Sequence, residues 1–252
     1  MLAAQRRAKV LEQVRLEGAA SLRELSDRLG ISLSTARRDV DALVGAGRLV
    51  RTRGGVMLLD LPTTFEPARE VAAATAPAAK AAIGAAAAAR IEPGQSVILD
   101  SGTTTLAAAR AARERGVPFL CVTNDLGIAR LLGTGPGVEV VVLGGTLRAG
   151  SDTLLGPPGR EVLAGLSVDL ALIGAHALGP RGFSDTTLDL AALKRSILDA
   201  ARRTILLADG SKFGRRAFCE IAAYGQVGAL VTDREPPEEM RAALGGCELV
   251  VA

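Results

Sequence analysis

The chain has 252 residues, 48% of them hydrophobic, which is enough apolar material for one small and one larger globular unit. Its +3 net charge is local: residues 1–60 hold 11 basic and 7 acidic side chains, whereas residues 61–252 hold 19 and 20, so a basic module joins a near-neutral body. Three widely spaced cysteines (Cys121, Cys219, Cys247) without a C-x-x-C pair read as buried thiols in a reducing cytosol, and the absence of a signal pattern or long apolar run argues against secretion and membrane insertion, giving the expectation of a cytoplasmic protein.

In chain order, a first helix is predicted from about Ala3 to Leu16, presenting Val10, Leu11 and Val14. Ser21 to Glu24 forms an S-x-x-E capping box for a second helix that packs Leu22, Leu25 and Leu29 and ends at Gly30. A third helix follows Ser32. At about 100° per residue, Leu33, Ala36, Leu43 and Val44 share the inward face with Val40, while Ser34, Thr35, Arg38 and Ala42 point outward and Arg37 sits on the flank. Arg48–Arg51, a turn at Thr52–Gly55 and Val56–Leu59 then read as a basic hairpin.

Three short helices, a tight turn before the third and a hairpin outline a winged helix-turn-helix, so double-stranded DNA is the expected partner. Ser34, Thr35 and Arg38 fall near base edges or adjacent phosphates, and Arg37 falls on the backbone. Arg51 and Arg53 clamp phosphates at the wing, where Gly54 and Gly55 let backbone N–H groups approach. Paired arginines on an exposed helix face are by themselves only a solvated surface. Their combination with the capping box, the turn spacing and the glycine-ended hairpin is what points to DNA.

The domains predicted are 1–59 (winged helix-turn-helix), 60–75 (linker, from its Leu-Pro-Thr-Thr-Phe-Glu-Pro composition) and 76–252. The Ala-rich run Ala72–Ala89 reads as a helix entering the second domain, the alternative being low-complexity linker. Beyond it, strands at Val97–Leu99, Phe119–Val122, Val138–Leu143, Leu170–Ile173, Thr204–Leu207, Ala229–Val231 and Leu249–Val251 alternate with helices from about Thr104 and Asp125, over Leu188–Ala201 and over Glu238–Leu244. Apolar strands separated by helices imply an α/β domain with a doubly covered, mostly parallel sheet, which binds ligands outside the carboxyl ends of its strands.

The first such strand runs into Asp100-Ser101-Gly102-Thr103-Thr104-Thr105 and then a helix. Hydroxyls, glycine and unpaired N–H groups at a helix N-terminus suit an anion, most simply a phosphate, although helix capping alone also explains a Ser/Thr cluster. The loop lacks G-x-G-x-x-G and G-x-x-x-x-G-K-[ST], which disfavours a dinucleotide or Walker-type nucleotide; no cofactor is expected. Asp100 repels phosphate, so its work is to accept hydrogen bonds from ligand hydroxyls or to fix the loop. Thr123-Asn124 follows another strand and offers amide and hydroxyl contacts.

Only Lys9, Lys80, Lys194 and Lys212 are lysines among 30 basic residues, and an ammonium does what a planar guanidinium cannot. Lys212, in Asp209-Gly210-Ser211-Lys212-Phe213-Gly214 after the strand Thr204–Leu207, reads either as a cation for a phosphate or sugar oxygen or as a turn lysine in solvent. His176, the single histidine, has no partners in sequence that would make a metal site.

Ser32, Thr35, Arg37, Arg38, Asp39 and Gly54-Gly55 at one end, with Asp100-Ser101-Gly102-Thr103-Thr104, Thr123-Asn124, Gly144-Gly145, Asp209, Ser211-Lys212-Phe213-Gly214 and Thr232-Asp233 at the other, resemble the DeoR family of transcriptional regulators over nearly the whole chain. Phe65, Arg69 and Lys80 fit its inter-domain stretch. The resemblance implies a sensor domain similar in fold to ribose-5-phosphate isomerase, repression of sugar-catabolism operons and response to a phosphorylated sugar. Two positions depart from the family: Arg53 replaces a common histidine, and Leu190 replaces a common glutamate ahead of Lys194.

The resulting expectation is a ligand-controlled repressor. Ser101 to Thr105 hold a phosphate, Lys212 adds charge, and Asp100, Asn124 and Asp185 contact hydroxyls. Two heads are needed to read repeated half-sites, so a homo-oligomer, dimer or tetramer, is expected. The rival reading is a sugar-phosphate isomerase fused to a DNA-binding head, against which stands the lack of an acid/base constellation at Leu190.

Overall fold

The computed structural model describes residues 2–46, 48–52, 54–58 and 62–252, apart from the side chains of Arg15 and Leu16. The chain divides into two compact units after Val71.

In the first unit, α1 (Ala3–Glu17), α2 (Leu22–Leu29) and α3 (Leu33–Gly45) pack around Val10, Val14, Leu25, Ala36, Val40 and Leu43. The capping box is formed at Ser21, whose hydroxyl accepts from the Glu24 N–H at 3.1 Å while the Glu24 carboxylate accepts from the Ser21 N–H at 2.7 Å. Leu33 departs from the expected inward face and is 54% exposed. It is the first residue of α3. Strands β1 (Ala19–Ala20), β2 (Leu49–Arg51) and β3 (Val56–Leu58) form an antiparallel sheet in the order β1-β3-β2. The hairpin was legible in sequence, whereas the two-residue β1 was not. Leu59, expected in the last strand, lies outside the described residues, as does Arg53.

The stretch expected as linker contains a helix, α4 (Arg69–Ala74), and the Ala-rich run is two helices rather than one. Ala76 adopts φ 50° ahead of Pro77, which starts α5 (Pro77–Ala88) at the position where its missing N–H costs nothing. A proline also disfavours helical backbone at the residue before it, and this breaks the run.

The second unit continues with β4 (Ser96–Leu99), α6 (Thr103–Arg115), β5 (Phe119–Thr123), α7 (Leu126–Gly133), β6 (Val138–Val142), β7 (Thr146–Leu147), β8 (Leu154–Leu155), α8 (Pro157–Ala164) and β9 (Leu170–Gly174). Then come β10 (Ala177–Gly179), β11 (Gly182–Asp185), α9 (Leu188–Ala200), β12 (Thr204–Leu207), β13 (Cys219–Ala222), β14 (Ala229–Thr232), α10 (Glu238–Leu244) and β15 (Glu248–Val251). Seven strands form one sheet in the order β15-β14-β12-β9-β4-β5-β6, every pairing parallel.

Alternation along the strands serves two cores. Val97, Leu99, Leu170, Leu172, Ile205 and Leu207 pack with Ile83 of α5, Ala108 of α6 and Ile128 of α7. Ile98, Ala171, Ile173 and Leu206 turn the other way onto Leu163 of α8, Leu193 and Ile197 of α9, and Met240 of α10. The second face also carries an antiparallel sheet, β10-β11-β13, that sequence reading did not anticipate; Phe183 and Tyr224 meet beneath it with ring centroids 6.2 Å apart. No helix among the described residues is long and apolar enough to cross a membrane.

Candidate nucleic-acid interface and sensor site

The outward face of α3 is organised by its cap. The Ser32 hydroxyl accepts from the Thr35 N–H at 3.2 Å and lies 2.9 Å from the Ser34 hydroxyl and 2.8 Å from that of Thr35. Ser34, Arg37 and Arg38 are exposed and Thr35 is half-buried. Among the described residues no ion pair holds Arg37 or Arg38, which leaves two guanidinium forks on the helix expected to enter a groove.

The neighbouring arginines are used differently. Arg6 and Arg7 of α1 both bind the carboxylate of Asp39, which is 1% exposed. Burial pushes this carboxyl up, but the hydrogen bonds and charges of the two guanidinium groups together outweigh it and hold it below the ordinary value. Asp39 therefore fixes α3 on α1 from the residue next to Arg38. Its burial was not legible from the helix wheel, which puts Asp39 about 100° from the inward Val40. Arg51 lies against Asp41 of α3, both half-exposed, so a role for it on phosphate requires an exchange of partner.

The two wing glycines differ. A Cβ on Gly55 would stand 2.1 Å from the Ala20 carbonyl oxygen, so glycine there serves the close approach to β1; around Gly54 the space is open.

In the second unit, β4 and β9 are neighbours from which the chain proceeds in opposite directions across the sheet, and their carboxyl ends form the topological switch point. Asp100 follows β4 and is 1% exposed. Its Oδ2 accepts from the Gly174 N–H at 3.2 Å and from the ammonium of Lys194, which also donates to the Gly174 carbonyl at 3.0 Å. Lys194, on α9, is 3% exposed, and its nitrogen lies 3.7 Å from Asp185 Oδ2 at the end of β11. Burial raises the Asp100 pKa, with Lys194 and the Gly174 N–H opposing the rise; Asp100 Oδ1 is buried with no hydrogen-bond partner among the described residues. The rarity of lysine marked Lys194, although its role needed the fold.

Beside this cluster, the side-chain oxygen of Asn124 accepts from the Ser101 N–H at 3.0 Å and its amide donates to the Ser101 hydroxyl at 3.3 Å, tying the loops after β4 and β5 together. Asn124 is fully buried, so it positions Ser101. Gly102 is the N-cap of α6 with φ 142°, a conformation that favours glycine. No side chain caps this helix, which removes capping as the explanation of the Ser/Thr cluster. Thr103 and Thr104 are half-buried, whereas the Thr105 hydroxyl turns inward and donates to the Gly102 carbonyl at 2.9 Å. The first N–H groups of α6 thus open onto the switch point.

Lys212 ends a 3₁₀ turn (Gly210–Lys212) after β12 and is half-buried. β12 lies two strands from β4, about 10 Å away. The Lys212 charge acts on Lys80, lowering the pKa of that ammonium. Leu190, one turn before Lys194 on α9, is buried. His176 lies in the loop between β9 and β10, and no group of three His, Cys, Asp or Glu side chains among the described residues is placed to hold a metal. All three cysteines are buried and unbridged, and burial pushes the Cys121 thiol up to about 12.

Comparison with known proteins supplies the context. Residues 6–61 match the DeoR-like helix-turn-helix domain and residues 75–234 the DeoR C terminal sensor domain. The uncharacterized HTH-type transcriptional regulator YgbI of Escherichia coli (strain K12) is 34% identical over 244 residues, covering 97% of this chain and 95% of that protein. The HTH-type transcriptional repressor GlcR of Bacillus subtilis (strain 168) is 31% identical over 251 residues, covering 98% and 95%. The transcriptional repressor AccR of Agrobacterium fabrum (strain C58 / ATCC 33970) is 32% identical over 231 residues, covering 90% and 88%. With both of its units matched in order and relatives aligned along almost its full length, the chain belongs to the DeoR family of transcriptional regulators.

Proposed function

We propose that the chain is a DNA-binding transcriptional repressor of sugar-metabolism genes whose hold on its operator is set by a phosphorylated sugar. The observation that carries this reading is the uncapped N-terminus of α6 beside the buried Asp100–Lys194 pair at the switch point of a parallel sheet. Free N–H groups and a helix dipole recognise a dianionic phosphate, and a carboxylate with one unpartnered oxygen recognises a hydroxyl. Ser101, Gly102, Thr103 and Thr104 hold the phosphate, with Thr105 giving only its backbone N–H. Asp100 and Asp185 face the hydroxyls, Asn124 sets the loop, and Lys212 contributes charge.

DNA reading belongs to residues 1–59, with Ser34, Thr35 and Arg38 at base edges and Arg37, Arg51, Arg53 and Gly54 at phosphates. Sensing belongs to residues 76–252. The working form is a homo-oligomer in the cytoplasm, because paired half-sites need paired heads. The repressor names of GlcR and AccR favour this sign of regulation. Turnover has no place in it, since Lys194 already neutralises Asp100 and Leu190 supplies no acid or base.

The test is a thermal-shift panel of pentose and hexose phosphates on the full chain, paired with operator gel shifts. At a hundred times its Kd, a bound effector adds about 2.7 kcal/mol, which corresponds to roughly 5–10 °C for a domain of this size. The same compound then changes operator affinity. A panel in which no compound moves either readout contradicts the proposal.

A further inference from the structure

Lys80 is the lysine that the switch-point cluster does not explain. It stands in the first turns of α5, 5% exposed, and its ammonium donates to the carbonyl of Ala72 in α4 and to that of Thr75 at 2.8 Å. Ala72 lies in the last turn of α4, where its carbonyl also accepts from the Thr75 N–H at 3.3 Å, so Lys80 adds a second bond to the end of α4 from the next helix along. These two bonds use two of the three ammonium protons.

Asp209 lies within electrostatic reach of this ammonium. It is 1% exposed, its Oδ1 accepts from the Ser211 N–H at 3.0 Å, and its Oδ2 is buried with no partner among the described residues. A buried carboxylate oxygen left unpaired is costly; the Lys80 ammonium keeps a proton that relieves it, directly or through one water, and the Arg215 guanidinium acts on the same carboxylate electrostatically. α4 begins at Arg69, and the division between the two units falls inside it, so whatever fixes Ala72 fixes how the chain leaves the sensor unit.

We propose that Lys80 is a positioning residue that links the sensor loop Asp209–Lys212 to the junction segment 72–75, its ammonium holding the end of α4 while Asp209 holds the ammonium. This rests on the effector reading above and adds a route to it: a ligand hydroxyl that engages Asp209 Oδ2 loosens the hold on Lys80, and α4 loses part of its cap. Burial lowers the Lys80 pKa to about 8, Asp209 opposing and Lys212 reinforcing the fall, so the charge is responsive to those two neighbours.

Hydrogen exchange of the full chain, without DNA or ligand, tests the link. Lys80→Met and Asp209→Asn are each expected to speed exchange of the 72–76 amides at least tenfold, with α3 unchanged, and the double variant no more than the faster single one. A Lys80 that only braces α4 predicts no effect of Asp209→Asn, because that variant leaves both carbonyl bonds in place. Should Lys80→Met fail to fold, Asp209→Asn alone decides. Junction exchange that is indifferent to Asp209→Asn overturns the link. Because neither DNA nor effector is present, that result leaves the repressor reading standing, and loss of the repressor reading leaves this result standing.

Discussion

Replacing Lys194 with Met removes the one cation that faces two buried carboxylates while keeping most of the side-chain volume. At 3.7 Å from Asp185 and an effective dielectric of about 20, the attraction to that partner alone is about 4 kcal/mol before desolvation is counted. Removing one member of a buried pair costs about 3–5 kcal/mol, because the remaining charge stays buried without compensation. For a unit of this size that is a fall in Tm of roughly 10 °C. The pH dependence has a definite sign. Burial already raises Asp100, and losing Lys194 raises it further, so the folded variant holds a proton that the unfolded chain has released. Stability of the variant therefore falls as pH climbs above the unfolded carboxylate value, and its deficit against wild type is smaller at pH 5 than at pH 7.5. Adding Asp100→Asn to Lys194→Met restores part of the loss by removing the carboxyl that the buried site must keep protonated. Melts followed by circular dichroism at the two pH values check all three statements. A deficit below about 1 kcal/mol, or one that ignores pH, would refute the assignment of Lys194 as the counter-ion of this site.

Three further outcomes follow from the N-terminal unit. Arg38→Ala costs about 1–3 kcal/mol on the operator and relaxes sequence preference, whereas Arg37→Ala weakens binding evenly across sequences and lowers the salt slope by about one, both read by anisotropy titrations. Asp39→Asn melts the head earlier at neutral pH; because the folded Asp39 pKa is depressed, its contribution is present above the unfolded value and fades as pH falls through the folded one, so the two proteins converge in acid. Gly55→Ala forces a methyl against the Ala20 carbonyl and destabilises the wing by about 1–3 kcal/mol, while Gly54→Ala leaves the melt unchanged, and differential scanning calorimetry separates them.

Local chemistry explains what could be read in advance. The Ser21 capping box, the inward row Ala36, Val40 and Leu43, and apolar strands such as Thr204–Leu207 are decided within a few residues, and the structure reproduces them. Pairings between distant residues left no such trace. Arg6 and Asp39 are 33 positions apart and Asp100 and Lys194 are 94 apart, so nothing local pointed to Arg6 and Lys194 stood out only as a rare lysine. The β10-β11-β13 sheet escaped because its strands are short and β13 joins from 34 residues beyond the end of β11. α4 escaped because its six residues sit in a stretch read by composition alone. Leu33 shows a further limit, since periodicity gives a side chain's direction but not whether anything stands there to cover it.

The account turns on two events in one molecule, a grip on duplex DNA by the first unit and a change in that grip when a phosphorylated sugar binds the second. Both are read by titrating the full chain onto a labelled fragment of its own upstream DNA, at graded salt, with and without each sugar phosphate of the panel. The account predicts nanomolar-range retention that falls steeply and log-linearly with salt, and one phosphorylated sugar that shifts the curve by about tenfold or more. Retention that is absent, or that no phosphorylated sugar displaces, would contradict it.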